Sequence, residues 1–195
     1  MRLFVAIGLP PTTRAEIDSE LVPLRRTTVA VRWIQPESLH LTLEFLGWVA
    51  DDRIVELNAS LGPVAARSAP FTMRLEGFGG FPDIRRARVF WIGIQVSEAL
   101  TTLQRSVEQA LAEIGFEPEA RGFHPHVTVG RAVRAAKRSD LTGLAHAAES
   151  FTYRTEVPVQ TIELMRSDLR RSGAIYSEVH SFPLVGESDR VQDSR

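Results

Sequence analysis

Two histidine–threonine pairs at matching spacing are the residues of this chain best suited to chemistry. Residues 40–43 read His-Leu-Thr-Leu and residues 126–129 read His-Val-Thr-Val. Each segment is predicted to be a β-strand, in which alternate side chains point to opposite faces, so the histidine and the threonine share one face. If the two strands are neighbours, two imidazoles and two hydroxyls meet at one site. Such a site can donate a proton, accept a proton and bind a phosphate, without a metal or a covalent intermediate.

The residues around each pair continue this alternation. In the first segment, the odd-numbered residues 39–45 are expected on the buried face and His40, Thr42 and Glu44 on the other. The second strand is expected to begin at Pro125 or to lie at an edge, because proline cannot donate to a ladder. Arg131 has the wrong parity and would reach the site only by its length, a bulge or the strand end. Taken singly, each segment also fits an ordinary strand with one solvated face.

Cleavage of a phosphodiester explains why these residue types belong together. The reaction needs one group to deprotonate the attacking oxygen and another to protonate the leaving oxygen. The unperturbed histidine pKa of about 6.5 allows one imidazole to be neutral and the other charged near pH 7. Threonine hydroxyls can donate to the phosphoryl oxygens as negative charge develops, and Arg131 can add a bidentate contact. An alternative is that His124 and His126 bind a metal, although no acid stands beside them as a third ligand.

The composition excludes several classes of function. The chain has 195 residues, 44% of them apolar, a net charge of −1 and no cysteine. Disulfides, thiolate nucleophiles, zinc–thiolate sites and iron–sulfur clusters are therefore excluded. The near-zero charge argues against a broad, salt-driven contact with duplex nucleic acid. No apolar run is long enough for a transmembrane helix, and the apolar start is expected to be a strand, so we expect a cytoplasmic protein without a membrane partner.

The elements that must position the two pairs are helices alternating with pairs of strands. Helices are predicted from about 12 to 26 and over 51–67, 97–114 and 140–148, and a turn over 79–83. Strands are predicted over 2–8, 30–34, 39–46, 71–78, 89–96, 125–131, 156–166 and 174–182. This order predicts an α+β fold with antiparallel sheets, not a doubly wound parallel one. It also roughly repeats, and each half delivers one histidine–threonine strand, which indicates a pseudo-symmetric, two-lobed arrangement. Residues 1–185 are expected to be one domain acting as a monomer, and 186–195 a polar, disordered tail.

The two segments resemble the twin signature of the 2H phosphoesterase superfamily. The flanks of the pairs carry the same resemblance: Leu39 and residues 44–47 (Glu-Phe-Leu-Gly) around the first, residues 123–125 and Arg131 around the second. The first strand (residues 2–7) and the ending (176–184) resemble the bacterial and archaeal RNA 2′,3′-cyclic phosphodiesterase branch, once called the 2′-5′ RNA ligase family. The resemblance covers roughly residues 2–184. Gly130 departs from it, because many relatives have a larger apolar residue there.

The resemblance implies a bilobal fold with a central cleft between two antiparallel sheets and helices at their flanks. It implies hydrolysis of a 2′,3′-cyclic phosphate, on an RNA 3′ end or a nucleoside, to a 2′-phosphate. His40 would protonate the departing O3′, and His126 would activate water. Thr42, Thr128 and Arg131 would hold the phosphate. No metal and no cofactor is implied, and His124 would stand beside the site.

Other functions remain open at this point. The same cleft fits an RNA-end-binding or 2′-5′ ligation module with little hydrolytic turnover, or a related phosphodiesterase for another cyclic or 2′,5′-linked nucleotide. Trp33 and Phe81 are candidates for stacking on a base, with core packing as the alternative. Residues 166–171 contain three arginines that could form a positive rim for a second phosphate or a solvated turn.

Overall fold

Antiparallel strands form the frame of this protein. The computed structural model describes residues 1–119, 122–170 and 173–186, and within them the chain forms nine strands and five α-helices. The strands are β1 (Arg2–Gly8), β2 (Val31–Trp33), β3 (His40–Trp48), β4 (Phe71–Phe81), β5 (Val89–Ile94), β6 (His126–Ala132), β7 (Arg154–Val159), β8 (Thr161–Arg170) and β9 (Gly173–Pro183). The helices are α1 (Pro11–Glu20), α2 (Val22–Arg25), α3 (Ile54–Arg67), α4 (Glu98–Glu113) and α5 (Thr142–Ala148). Short 3-10 turns precede β3, α3, β5 and α5.

Apart from β2, the strands form two halves of four strands each. One half has the order β3-β1-β8-β9 and the other β6-β5-β4-β7, each counted outward from the centre. The halves join between β3 and β6 through a single residue pair, Leu41 and Val127, and β2 pairs with the far end of β6. Every pairing is antiparallel, which confirms the predicted α+β class. The two expected antiparallel sheets are therefore the two halves of one continuous sheet, and they are joined at one residue pair.

A shared apolar core holds the helices against the sheet. The buried positions of α4 recur at helical spacing, and Leu41 and Val127 belong to the same core cluster. Ser97 caps α4, since its side chain accepts a hydrogen bond from the Leu100 backbone N–H at 3.2 Å. Gly115, with φ of 87°, follows the end of the helix as the 97–114 prediction expects.

One predicted strand is in fact two. Residues 156–166 were expected to form a single strand, but β7 ends at Val159 and β8 begins at Thr161, in opposite halves of the sheet. The buried positions are 157 and 159 before Gln160, and 162 and 164 after it. This one-residue change of phase shows where the chain crosses from one half to the other.

The turn predicted for residues 79–83 begins too early. Gly79 and Gly80 belong to β4, which continues to Phe81. A side chain at Gly79 would overlap the indole ring of Trp91, and one at Gly80 would approach Ala87 to 2.6 Å. These glycines are present because neighbouring side chains fill their space, and not because the chain turns there.

Two further expectations concern the ends and the environment of the chain. From residue 187 onward, the polar tail predicted for 186–195 lies outside the described residues. In the part of the chain that the structure describes, no helix has the length and apolar character needed to cross a membrane.

Candidate active site

The two histidine–threonine pairs lie at neighbouring positions on one face of the sheet. Leu41 of β3 and Val127 of β6 are direct partners, and both are buried. Continuing this antiparallel register by one residue on each side sets His40 opposite Thr128 and Thr42 opposite His126. All four side chains are half-buried. The strand junction therefore brings together the four residues that the sequence singled out.

Each imidazole is oriented by the backbone just before its own strand. The His40 Nδ1 lies 2.8 Å from the backbone oxygen of Ser38, and the His126 Nδ1 lies 2.7 Å from that of His124. A carbonyl oxygen can only accept, so Nδ1 carries the proton and donates it in both bonds. The tautomer is thereby fixed, and Nε2 of each ring is left for chemistry. Sequence reasoning missed both carbonyls, because no residue type marks a backbone acceptor.

Aromatic rings surround both histidines. The His40 ring lies 4.9 Å from the Phe4 ring and 4.9 Å from the Tyr176 ring, with the latter edge-on. The His126 ring lies 5.0 Å from Phe81, also edge-on. Phe81 is 36% exposed, so it is a wall of the site and not a core residue. Trp33 instead packs beside Phe78, at 6.4 Å between ring centroids.

The environment favours neutral imidazoles. Burial is the main cause that lowers the pKa of both His40 and His126, since desolvation penalises the charged form. The backbone acceptors oppose this effect and raise both pKa values. The positive charge of Arg131 lowers the pKa of both rings, and His126 also lowers that of His40. The guanidinium therefore acts on both rings, and the His126 ring acts on His40.

A bulge in β6 brings Arg131 to the site face. Gly130 pairs with Phe90, whereas Thr128 pairs with Trp91, so Val129 is an extra residue in β6. Val129 and Gly130 are both buried and Arg131 is exposed, which moves the arginine onto the side of His126. Of the three routes that the sequence left open, the bulge is the one the structure contains.

Gly130 accommodates the neighbouring strand. A Cβ at this position would lie 2.7 Å from Val31 Cγ1 and 3.3 Å from the Trp33 ring. Both residues belong to β2, which pairs with β6 here. Gly130 therefore allows β2 to pack closely against β6, and a larger residue at this position would displace β2.

Two bulges in β3 correct the expected faces of Glu44 and Phe45. Leu43 and Leu46 are the extra residues relative to β1, so the alternation changes phase after Thr42. Glu44, expected beside His40, is only 6% exposed on the other face, where burial is the main cause that raises its pKa to about 7. Phe45, expected in the core, is 51% exposed and packs against Phe4 at 5.8 Å. A period of two cannot anticipate an inserted residue.

A cavity of about 370 Å³ opens beside His40. Tyr176, Arg14 and Glu163 are among its lining residues. The Glu163 carboxylate accepts the backbone N–H of Gly8 at 2.7 Å and the hydroxyl of Thr161 at 3.0 Å. The cavity thus has both polar and aromatic walls and leads directly to the imidazole.

The remaining sequence candidates lie away from this arrangement or are not described. Arg166 pairs with Asp168 at 2.9 Å, the side chain of Arg170 is not described, and Arg171 lies outside the described residues. In the described ranges 1–119, 122–170 and 173–186, no three His, Asp or Glu side chains are placed together to bind a metal ion.

Comparisons with known proteins extend over nearly the whole chain. A family model described as the 2′-5′ RNA ligase superfamily matches residues 16–171. A Methanothermobacter thermautotrophicus protein named RNA 2′,3′-cyclic phosphodiesterase is 30% identical over 184 residues, which are 94% of this chain and 99% of the relative. A Thermus thermophilus crystal structure aligns with a TM-score of 0.78 at 28% identity, over 96% of this chain and 100% of the other. E. coli LigT complexed with 3′-AMP aligns with a TM-score of 0.70 at 28% identity, over 94% and 97%. The likeness thus covers both halves of the sheet.

Proposed function

Because the chain belongs to the 2′-5′ RNA ligase superfamily, we propose that it hydrolyses RNA 2′,3′-cyclic phosphate ends to 2′-phosphate ends by two-histidine acid–base catalysis without a metal. The observation that carries the proposal is the pair of imidazoles on neighbouring strands, each with Nδ1 hydrogen-bonded to the carbonyl two residues earlier and with Nε2 making no hydrogen bond to the described residues. The relative from M. thermautotrophicus, which bears the name of this activity, supports the choice of substrate.

The proposed reaction is an in-line displacement at the phosphorus atom. Neutral His126 accepts a proton from water at Nε2 while the water oxygen bonds to phosphorus. The bond between phosphorus and O3′ breaks, and protonated His40 donates its Nε2 proton to O3′. The products are a 2′-phosphate and a free 3′-hydroxyl, and each histidine ends in the state in which the other began. Each proton transfer contributes about 10²–10⁴-fold to the rate.

Three further side chains hold the phosphate. The hydroxyls of Thr42 and Thr128 donate to the two non-bridging oxygens, where negative charge increases in the transition state. Arg131 adds a charge-assisted contact from the site face of β6. All of these residues come from one chain, so the proposed site is complete in a monomer.

The cavity beside His40 is the proposed nucleoside site. In an in-line displacement, the attacking and leaving oxygens lie on opposite sides of phosphorus. O3′ and the ribose attached to it therefore lie on the side of His40, where the cavity of about 370 Å³ opens. This volume falls within the range of small-molecule sites.

The test is hydrolysis of a 2′,3′-cyclic nucleotide in the presence of EDTA, with the product isomer identified by NMR or chromatography. We expect turnover and a 2′-phosphate product. Loss of activity on chelation would contradict the metal-independent mechanism, and a 3′-phosphate product would contradict the assignment of O3′ as the leaving group. Tight binding of a 2′-phosphorylated oligonucleotide without hydrolysis of a cyclic end would instead support an RNA-end-binding module.

A further inference from the structure

Two large aromatic side chains of β3 are exposed on the face that carries the site. Phe45 is 51% and Trp48 is 82% exposed. Rings of this size are usually buried to a large extent, and exposed apolar surface beside a site often marks a contact with a partner. No aromatic ring of the described residues covers Trp48.

The two bulges of β3 align these rings with the phosphate site. Because each bulge inserts one residue, Thr42, Phe45 and Trp48 face the same side at steps of three residues. Their register partners on β1, Ala6, Phe4 and Arg2, are two residues apart, so successive members lie about 7 Å apart at about 3.3 Å per residue. The Phe45 ring contacts Phe4, and the Phe4 ring contacts His40, so the aromatic surface is continuous with the site.

A positive charge lies beside the outer ring. Arg2 of β1 is the register partner of Trp48 and lies two residues from Phe4 on the same strand, hence on the same face. Within the described residues, no carboxylate forms an ion pair with Arg2. Exposed rings beside a free cation are the combination that binds single-stranded nucleic acid, by stacking on bases and contacting phosphates.

We propose that Phe45, Trp48 and Arg2 form a binding surface for the nucleotides that precede the cyclic phosphate in a single-stranded RNA substrate. This inference rests on the proposed function. A 2′,3′-cyclic phosphate is the 3′ end of the RNA strand, so all remaining nucleotides of the substrate leave the site on the 5′ side. The bases of those nucleotides stack on Phe45 and Trp48, and Arg2 contacts a backbone phosphate. The preferred substrate is thus an oligonucleotide end and not a mononucleotide.

The experiment compares two substrates with the same terminal base: a nucleoside 2′,3′-cyclic phosphate and a six-nucleotide RNA with a 2′,3′-cyclic end. For the wild type, we expect a higher kcat/KM on the RNA. Trp48→Ala should lower kcat/KM on the RNA by about five- to a hundredfold, the range for loss of one base–aromatic stack, with less than a twofold change on the mononucleotide. Phe45→Leu, which keeps packing against Phe4, should act in the same direction.

Two controls separate stacking from charge and from general effects. Val55→Ala removes an exposed apolar side chain, 78% exposed, on α3, and should leave both substrates unaffected. Arg2→Gln should reduce the slope of log affinity against log salt for the RNA by about 0.7, the value for one phosphate contact on a single strand.

Binding is also measured without turnover, by quenching of tryptophan fluorescence with an RNA that ends in a 2′-phosphate. Quenching that disappears in Trp48→Phe supports the surface even if neither cyclic substrate is cleaved, an outcome that contradicts only the proposed function. Equal kcat/KM on both substrates in the wild type overturns the inference, as does an equal loss on both in Trp48→Ala. A wild-type dimer that Trp48→Ala converts to monomer, seen by sedimentation, also overturns it, because the surface then serves self-association.

Discussion

At the scale of single residues, the site is defined by hydrogen bonds to the segments that lead directly into the two strands. His40 and His126 are each held by the carbonyl two residues earlier, so neither ring depends on the other strand for its tautomer. The alternation of polar and apolar residues was enough to predict that each histidine shares a face with its threonine. The carbonyl partners and the contacts with Phe4 and Tyr176 depend on ring rotation and on distant chain segments, which spacing does not reveal.

Removing either imidazole should stop the chemistry and leave the fold intact. We expect His40→Ala and His126→Ala each to lower kcat by at least about 100-fold, because each loses one proton transfer. Circular dichroism and thermal unfolding should show a folded protein. Near-wild-type turnover in either folded variant would remove that residue from the mechanism.

The charge of Arg131 should act together with burial on the pH profile of the free enzyme. Since the pKa of His40 and of His126 is lowered from 6.5, both limbs of the kcat/KM profile should lie below pH 6.5 and belong to the pair. Removing a positive charge makes protonation of both rings easier, so Arg131→Gln should raise both pKa values and move both limbs to higher pH. Arg134→Gln, a nearby exposed arginine outside the strand, is the matched control and should leave the limbs unchanged. Unmoved limbs in Arg131→Gln would show that its charge does not reach the rings.

At the scale of elements, β-bulges decide which residues face the site. The inserted residues of β3 and β6 turn Phe45 and Arg131 toward the site and Glu44 away from it. Strand positions were predictable within a few residues, because runs of β-branched and aromatic residues are visible in the sequence. The bulges were not, because an inserted residue follows from how two strands pair across the sheet.

The contact between Gly79 and Trp91 offers a test of how one strand supports the site. A methyl group at residue 79 would overlap the indole ring, which in turn packs on Phe81 at 5.3 Å. We expect Gly79→Ala to destabilise the protein by about 1–3 kcal/mol through overpacking. It should also lower kcat/KM, because the displaced indole would move Phe81, the ring beside His126. The double variant Gly79→Ala, Trp91→Leu should recover stability.

Gly62→Ala is the control for that substitution. Gly62 lies inside α3, and apart from its chain neighbours nothing lies near its added methyl group. Because Pro63 follows and disfavours a helical residue with a Cβ, the gain in helix propensity is offset, and alanine should change the stability by less than about 1 kcal/mol. Urea unfolding gives the free energy for all of these variants. A Gly79→Ala protein as stable as the wild type would mean that the Trp91 ring can move without loss of stability.

At the scale of the whole molecule, two four-stranded halves of the sheet are joined by one residue pair. The order of elements was enough to predict the antiparallel class and one histidine–threonine strand in each half. The halves are not successive parts of the chain, however, because β8 and β9 join β1 and β3, and β4 to β7 form the other half. The single junction was not predictable, nor was the crossover at Gln160, where the buried positions change phase inside one apolar stretch. Both features depend on which strands become neighbours, and several pairings suit the same pattern.

The buried carboxyl of Glu44 should make the stability of the whole fold depend on pH. Its pKa is about 7 when folded and about 4.5 when exposed, so the folded state holds a proton more strongly. The stabilisation is complete below pH 4.5 and is lost as the pH rises through 7. In Glu44→Gln this loss is absent, so the variant should gain on the order of 1–3 kcal/mol relative to the wild type between pH 5 and 8.

Urea unfolding at several pH values measures this difference. Glu108→Gln should give a smaller effect in the same direction, because the charge of Glu108 is one of the causes that raise the pKa of Glu44. A constant difference between Glu44→Gln and the wild type across this range would show that the carboxyl titrates as if it were in water.

The single strand pair between the halves assigns the distance between the rings and the aim of each ring to different parts of the structure. The distance is set where β3 meets β6 at Leu41 and Val127, whereas the aim of each ring is set by the carbonyl two residues before it. Substrates of different size would therefore bind beside the same proposed acid and the same proposed base. Adaptation to a new ligand then requires changes only in the residues that line the cavity, and the two proposed proton-transfer residues can stay as they are.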